Sequence, residues 1–157
     1  MNETTEQRHV VNKTYDEIHV GDFASLSRTL MPEDVKLFAV LTGDFNPTAA
    51  DARYSESGMF REVMAHGMWS GSLISTVLGT QFPGPGTIYL GQELKFTKPV
   101  RIGDTLTVVA TVTEKDDEKK RVKMDCLVTN QKGEVVAMFR GKSAVIPGQV
   151  FPEEEGA

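Results

Sequence analysis

One cysteine, three histidines and one tryptophan among 157 residues are small numbers, and each shortage closes off a class of protein. Cys126 has no partner with which to form a disulfide inside the chain. The alternation Val122, Met124, Cys126, Val128 instead makes it a small apolar residue on the covered side of a strand. His9, His19 and His66 are scattered, so no metal-ligand spacing is present and no metal is expected. Positive charge is also scarce. Seventeen basic residues face 22 acidic ones, a net charge of -5, which argues against a nucleic-acid footprint. No stretch approaches the roughly 20 apolar residues of a membrane helix, and the first sixteen residues lack a signal-peptide core. Gly84, Gly86 and Gly91 do not have the spacing of a phosphate loop or a dinucleotide fingerprint. Ser70, Ser72 and Ser75 fall on a helical pattern rather than a strand-to-helix elbow, so a serine nucleophile is not supported. The expectation is a soluble, cytoplasmic protein with neither a nucleic-acid nor a membrane partner.

What is present suffices for one core. Hydrophobic residues make up 39% of the chain and charged ones 25%, the balance of a single folded domain. Residues 1–14 are polar and aperiodic and read as a flexible segment. The domain spans 15–148, and 149–157 form an acidic tail. Phe23 to Leu30 alternates as a strand. Pro32 then opens a short helix whose inward face takes Val35, Phe38, Ala39 and Leu41 or Thr42, stopped by Gly43. Met64 to Thr80 forms a helix apolar on most sides and therefore buried, with Gly71 marking a close approach. The Phe82–Gly86 turn ends it. Four period-two runs follow, starting near Ile88, Leu106, Val122 and Val135. Their connectors are short, which predicts antiparallel pairing of consecutive strands. The fold class is α+β: an antiparallel β-sheet wrapped around a central apolar α-helix.

Three places could carry chemistry. Asp44 lies just past a helix end and before the rigid Asn46–Pro47 turn, where a carboxylate is held still or simply caps the loop. His66 and Gly67 stand at the start of the buried helix, where backbone amides and the helix dipole can receive a developing negative charge. Ser75 is a hydroxyl on an apolar helix. Its plain reading is a bond back to the carbonyl four residues earlier.

The run Gly43, Asp44, Phe45, Asn46, Pro47, Thr48 resembles the hydratase loop of the MaoC-like, (R)-specific enoyl-CoA hydratases, a branch of the hot dog fold. His66–Met68 and Pro83–Gly91 support that resemblance, which covers about Tyr15 to Ile146. It implies hydration of trans-2-enoyl-CoA to (R)-3-hydroxyacyl-CoA, a lyase reaction of fatty acid metabolism that needs no cofactor. Asp44 would be the catalytic aspartate, the Gly67 amide the oxyanion-hole donor, and Ser75 the serine that orients the aspartate. Asn46, His66 and Leu78 would line the substrate site. The family's second catalytic group, a histidine two residues after the loop proline, is replaced by Ala49. The implied activity is therefore impaired in this chain, and a non-catalytic acyl-thioester-binding or dimerisation module, or a hot dog thioesterase, stands as the alternative. The partner calls that follow are an acyl-CoA or acyl-thioester substrate and a homodimer or dimer of dimers, because Thr87 to Phe96 would otherwise be a bare apolar edge.

Overall fold

The structure, a computed structural model, describes residues 12–44 and 67–145. Residues 12–14, which the sequence groups with the flexible segment, are tied down. Asn12 is buried, and the Lys13 amide donates to the Pro83 carbonyl at 2.7 Å. A 3-10 turn, Tyr15–Glu17, follows, and its tyrosine anchors this end of the chain. The Tyr15 hydroxyl donates to Asp117 at 2.7 Å, while the Lys115 and Lys120 ammonium groups stand 4.2 and 4.9 Å from its ring centre. Burial and the bond to Asp117 push this phenol up to about 12.

Strand β1 (Phe23–Thr29) leads into α1 (Pro32–Thr42), which opens on proline as expected. The Asp34 carboxylate accepts the Met31 amide at 2.8 Å, satisfying a donor at the helix start. Gly43 adopts φ 73° and returns its N–H to the Ala39 carbonyl at 2.9 Å. Val35 and Ala39 are buried, but Leu41 is 85% exposed and belongs to an outward stripe with Leu37 and Val40. The inward face is thus narrower than its periodicity suggested.

Helix α2 (Gly67–Thr76) continues into a wider turn at Val77–Gln81, closed by the Phe82 amide on the Val77 carbonyl at 2.9 Å. It is not apolar all round. Trp69, Leu73, Ile74, Val77 and Leu78 enter the core, whereas Ser72, Thr76 and Thr80 face outward and donate to the carbonyls four residues earlier. Close approach at Gly71 is real: a methyl there would lie 3.1 Å from Leu94 Cδ2 and 3.2 Å from Met68 Cε. A side chain of the sheet, not a second backbone, occupies the space.

The sheet comprises β1, β2 (Ile88–Phe96), β3 (Thr105–Asp116), β4 (Arg121–Thr129) and β5 (Val135–Ala144), all antiparallel, in the order β1-β3-β4-β5-β2. Leu106, Val108, Val122, Met124, Cys126 and Val128 point inward toward α2, as alternation requires. Burial pushes the Cys126 thiol up to about 12.

The pairing of consecutive strands holds for β3–β4 and β4–β5 but fails for β2–β3, which occupy distant places in the sheet. The link Thr97 to Asp104 reaches about 25 Å when extended, while three strand spacings need about 14 Å. It can therefore cross the sheet as readily as turn a hairpin. Its far end is claimed by β1: the Leu30 amide donates to the Asp104 carbonyl and the Gly103 amide to the Leu30 carbonyl, both at 2.8 Å. A sheet of this order curled around one central helix is the hot dog fold.

Candidate active site

The left-handed turn at Gly43 redirects the chain as α1 ends, and Asp44 comes directly after it. The Asp44 amide donates to the Thr42 hydroxyl at 3.2 Å, and that hydroxyl donates to the Phe38 carbonyl at 2.7 Å. This chain of bonds fixes the backbone at the aspartate and leaves its carboxylate on an exposed residue. Asn46, Ala49 and His66 lie outside the described residues.

Gly67 is the first residue of α2, with the Phe96 ring 3.5 Å from where its Cβ would be. Ser75 is exposed. Its expected bond back to Gly71 is not made, and among the described residues its hydroxyl has no partner. Leu78 is 2% exposed and belongs to the core, so it does not share an open face with Ser75. The wider turn beginning at Val77 rotates the chain away from regular helical spacing at that point. Among the described residues no hydrogen bond joins Asp44 to Gly67 or Ser75. The fold carries these groups on α1 and α2 without linking them directly.

A feature not singled out from the sequence lies beside Gly67. A cleft of about 350 Å³ runs between the start of α2 and the segment leaving β2, lined by Gly67, Ser70, Phe96, Thr97, Lys98, Pro99 and Val100. Ser70 and Val100 are buried and form its floor. The wall is rigid: the Thr97 hydroxyl donates to the Val135 carbonyl at 2.7 Å, and its amide to Val136 at 2.9 Å. Lys98 is ion-paired with Glu134; that bond, followed by one from Asn130, holds the Glu134 carboxyl below the usual carboxylate range. Ser70 is 3% exposed. Unlike Ser72, Thr76 and Thr80, its hydroxyl finds no hydrogen-bond partner among the described residues. Leaving a buried hydroxyl unpaired costs about 1–3 kcal/mol. A sequence signal did exist, since Ser70, Ile74 and Val77 follow the i, i+4, i+7 stripe of an inward face.

A larger cavity, about 610 Å³, lies on the opposite face of the sheet, around Val109, Leu127 and Met138. It carries none of the candidate residues. Its rim is the Asp125–Arg140 pair, 3.4 Å apart.

A profile of the MaoC like domain family matches residues 17–133. An (R)-specific enoyl-CoA hydratase of Rhodospirillum rubrum is 48% identical over 108 residues, covering 69% of this chain and 75% of that protein. Among solved structures, the unliganded R-hydratase PhaJ1 from Pseudomonas aeruginosa superposes with a TM-score of 0.87 at 42% identity, covering 94% of this chain and 95% of that one. An (R)-hydratase from A. caviae involved in PHA biosynthesis gives a TM-score of 0.78 at 34% identity, with coverage of 82% and 97%.

Proposed function

The chain belongs to the MaoC-like domain family, and on that premise we propose that it adds water to trans-2-enoyl thioesters, giving (R)-3-hydroxyacyl thioesters. The observation that carries this reading is the 48% identity with a relative named as an (R)-specific enoyl-CoA hydratase. The chemistry asks for few groups. Water must lose a proton as its oxygen bonds to C3, a proton must reach C2, and the enolate-like thioester oxygen must meet donors. In this reading Asp44 accepts the proton of the attacking water, and the Gly67 amide at the helix start faces the thioester oxygen. The orienting role that the family pattern gives Ser75 requires a contact with Asp44 made when substrate binds, since none joins them among the described residues. Asn46 and His66 complete the lining, and Leu78 acts from the core as a floor rather than as an open wall.

Ala49 leaves the water one acceptor where the family pattern has two. Positioned acid–base groups contribute roughly 100- to 10,000-fold in rate. Hydration of crotonyl-CoA, followed by loss of the enoyl absorbance, is therefore expected to be slow for this chain and about 100-fold or more faster for Ala49→His. An equal, rapid rate in both would remove Ala49 from the argument and leave another residue as the second group.

The same substitution favours a second reading, a thioester-binding module that no longer turns over. Both readings include a homodimer. Edge strand β2 leaves Ile88 57%, Leu90 44% and Phe96 46% exposed, an apolar edge that self-association would cover. Sedimentation at micromolar concentration should show a dimer or a dimer of dimers; a monomer would overturn this part.

A further inference from the structure

Two glycines disclose the register between α2 and β2. A Cβ on Gly67 would meet the Phe96 ring at 3.5 Å, and one on Gly71 would meet Leu94 Cδ2 at 3.1 Å. Four residues forward on the helix thus match two residues back on the strand, steps of about 6 and 7 Å that keep pace as the elements run antiparallel. The next step sets Gln92 level with Ser75.

Gln92 faces this seam because β2 is irregular. Tyr89 pairs with Ser143, Gln92 with Gly141 and Leu94 with Phe139, but the register shifts between Tyr89 and Gly91 and leaves Leu90 as an extra residue. Three residues apart in a regular strand, Tyr89 and Gln92 would face opposite sides. The bulge turns both inward, where the Tyr89 hydroxyl donates to Gln92 Oε1 and the Tyr89 ring packs edge-on against Phe139 with centroids 5.7 Å apart. Burial, followed by the Cys126 thiol, pushes the Tyr89 phenol far above its usual value, so it stays a donor. The amide is thereby oriented. Its oxygen is taken, its N–H groups have no partner among the described residues, and Gln92 is exposed.

Resting on the hydratase reading, we infer that Gln92 donates to the oxygen that joins or leaves C3 of the thioester. The reach fits: Gln92 is level with a point about 12 Å from Gly67 along α2, a glutamine side chain spans about 5 Å, and an oxygen on C3 stands about 7 Å from an amide bonded to the thioester oxygen. With its oxygen drawn toward Tyr89, the amide offers its nitrogen on the other side, toward Leu94 and Gly67. The attacking water gives one proton to Asp44 and one lone pair to C3, and its second lone pair accepts the Gln92 N–H. The C2–C3 π pair shifts toward the thioester oxygen, and C2 takes up a proton equal to the one Asp44 accepted. In reverse, the same donor receives the departing hydroxide-like oxygen. Gln92 holds the oxygen and does not move the proton, since its own acceptor is occupied by Tyr89.

The test is calorimetric binding of butyryl-CoA, which has no oxygen on C3, and of (R)- and (S)-3-hydroxybutyryl-CoA to the unaltered protein, Gln92→Met and Tyr89→Phe. Methionine keeps the length of the side chain without a donor; phenylalanine keeps the ring and releases the amide. The unaltered protein should bind the (R)-hydroxy thioester about 3- to 10-fold more tightly than butyryl-CoA. Gln92→Met should lose this margin and Tyr89→Phe should reduce it, with butyryl-CoA and the (S) isomer bound equally by all three proteins. Added to Ala49→His, Gln92→Met should lower kcat for crotonyl-CoA about 10-fold or more and leave KM nearly unchanged, because the enoyl substrate has no oxygen on C3. A margin that survives Gln92→Met, an equal loss for butyryl-CoA or the (S) isomer, or no binding of any thioester overturns the inference. The hydratase reading fails separately. A Gln92-dependent margin with no hydration of crotonyl-CoA by either this chain or Ala49→His would discard hydration and keep Gln92 as the reader of the 3-hydroxyl; hydration that ignores Gln92 would do the reverse.

Discussion

The three interior strands β3, β4 and β5 and the helix ends around Asp44 and Gly67 are built on opposite terms. In the sheet the inward row is buried without gaps, and the ladder hydrogen bonds run in continuous register apart from single shifts at Val112/Glu114 and Val128/Thr129. Around the helix ends Asp44, Gly67 and Ser75 are exposed, and Ser70 is buried with no hydrogen-bond partner for its hydroxyl among the described residues. On the sheet's inward side the ladder bonds are made and the apolar row is covered, the condition for stability. The helix-end region leaves Asp44 and Ser75 on exposed residues beside a buried Ser70, within reach of a bound molecule. The difference teaches that stability and chemistry should respond to different substitutions.

The sharpest test exchanges the two readouts. Starting from Ala49→His, Asp44→Asn should lose the recovered turnover, about 100-fold or more, with an unchanged thermal midpoint, by steady-state hydration and calorimetry. Leu106→Ala should do the opposite. It empties a fully covered position under α2 and should cost about 2–5 kcal/mol in urea unfolding, with the rate per folded molecule kept. If either variant moves both readouts together, the division between the regions is wrong.

Gly141→Ala probes the sheet more finely. A methyl there would lie 2.8 Å from the Gly91 carbonyl and inside the space of the Phe139 ring, so β5 must shift against β2. The expected cost is about 1–3 kcal/mol by urea midpoint. Since β2 also carries Phe96, thioester affinity measured on the same variant shows whether the strain reaches the cleft.

A smaller effect is expected at the cleft wall. Lys98 lowers the Glu134 pKa in the folded state, so this carboxylate stabilises the fold above the ordinary carboxylate range. The contribution is lost as pH falls through the lowered value. The unfolding midpoint should therefore exceed that of Glu134→Gln slightly near neutral pH, and the gap should close in acid as pH falls through the lowered value. A gap that widens in acid would reverse the assignment. The smallest effect is a null one: with its thiol pushed up to about 12, Cys126 should resist alkylation at about pH 8 until the sheet unfolds.

The same contrast governs what could be read from the sequence. Strands β3 to β5 were legible because one covered face imposes period two, and Cys126 fell on the side that alternation assigned to it. The place of β2 was not legible, since a link as long as Thr97 to Asp104 serves a hairpin and a crossover equally. Nor was the wide turn at Val77–Gln81, because the residues that form it would also suit an ordinary helix. At the site, Asp44 and Gly67 were found as motif residues beside helix ends. The state of Ser70 and the buried position of Leu78 depend on which neighbours close over them, and the motif does not encode that.

The sheet order also favours an order of assembly. In the β3–β4 hairpin, Thr113 meets Lys123 across 10 residues. On the β1 side, Ser27 must find Thr107 across 80. Closing the longer loop costs more entropy before any contact repays it, which favours a β3–β4–β5 meander ahead of β1 docking. Asp44 follows β1 in the chain but is set in place only after a strand made sixty-odd residues later is ready to receive it. A ribosome therefore releases Asp44 long before the scaffold that holds it, and a chain halted before β3 would carry this carboxylate without the strand on which β1 docks.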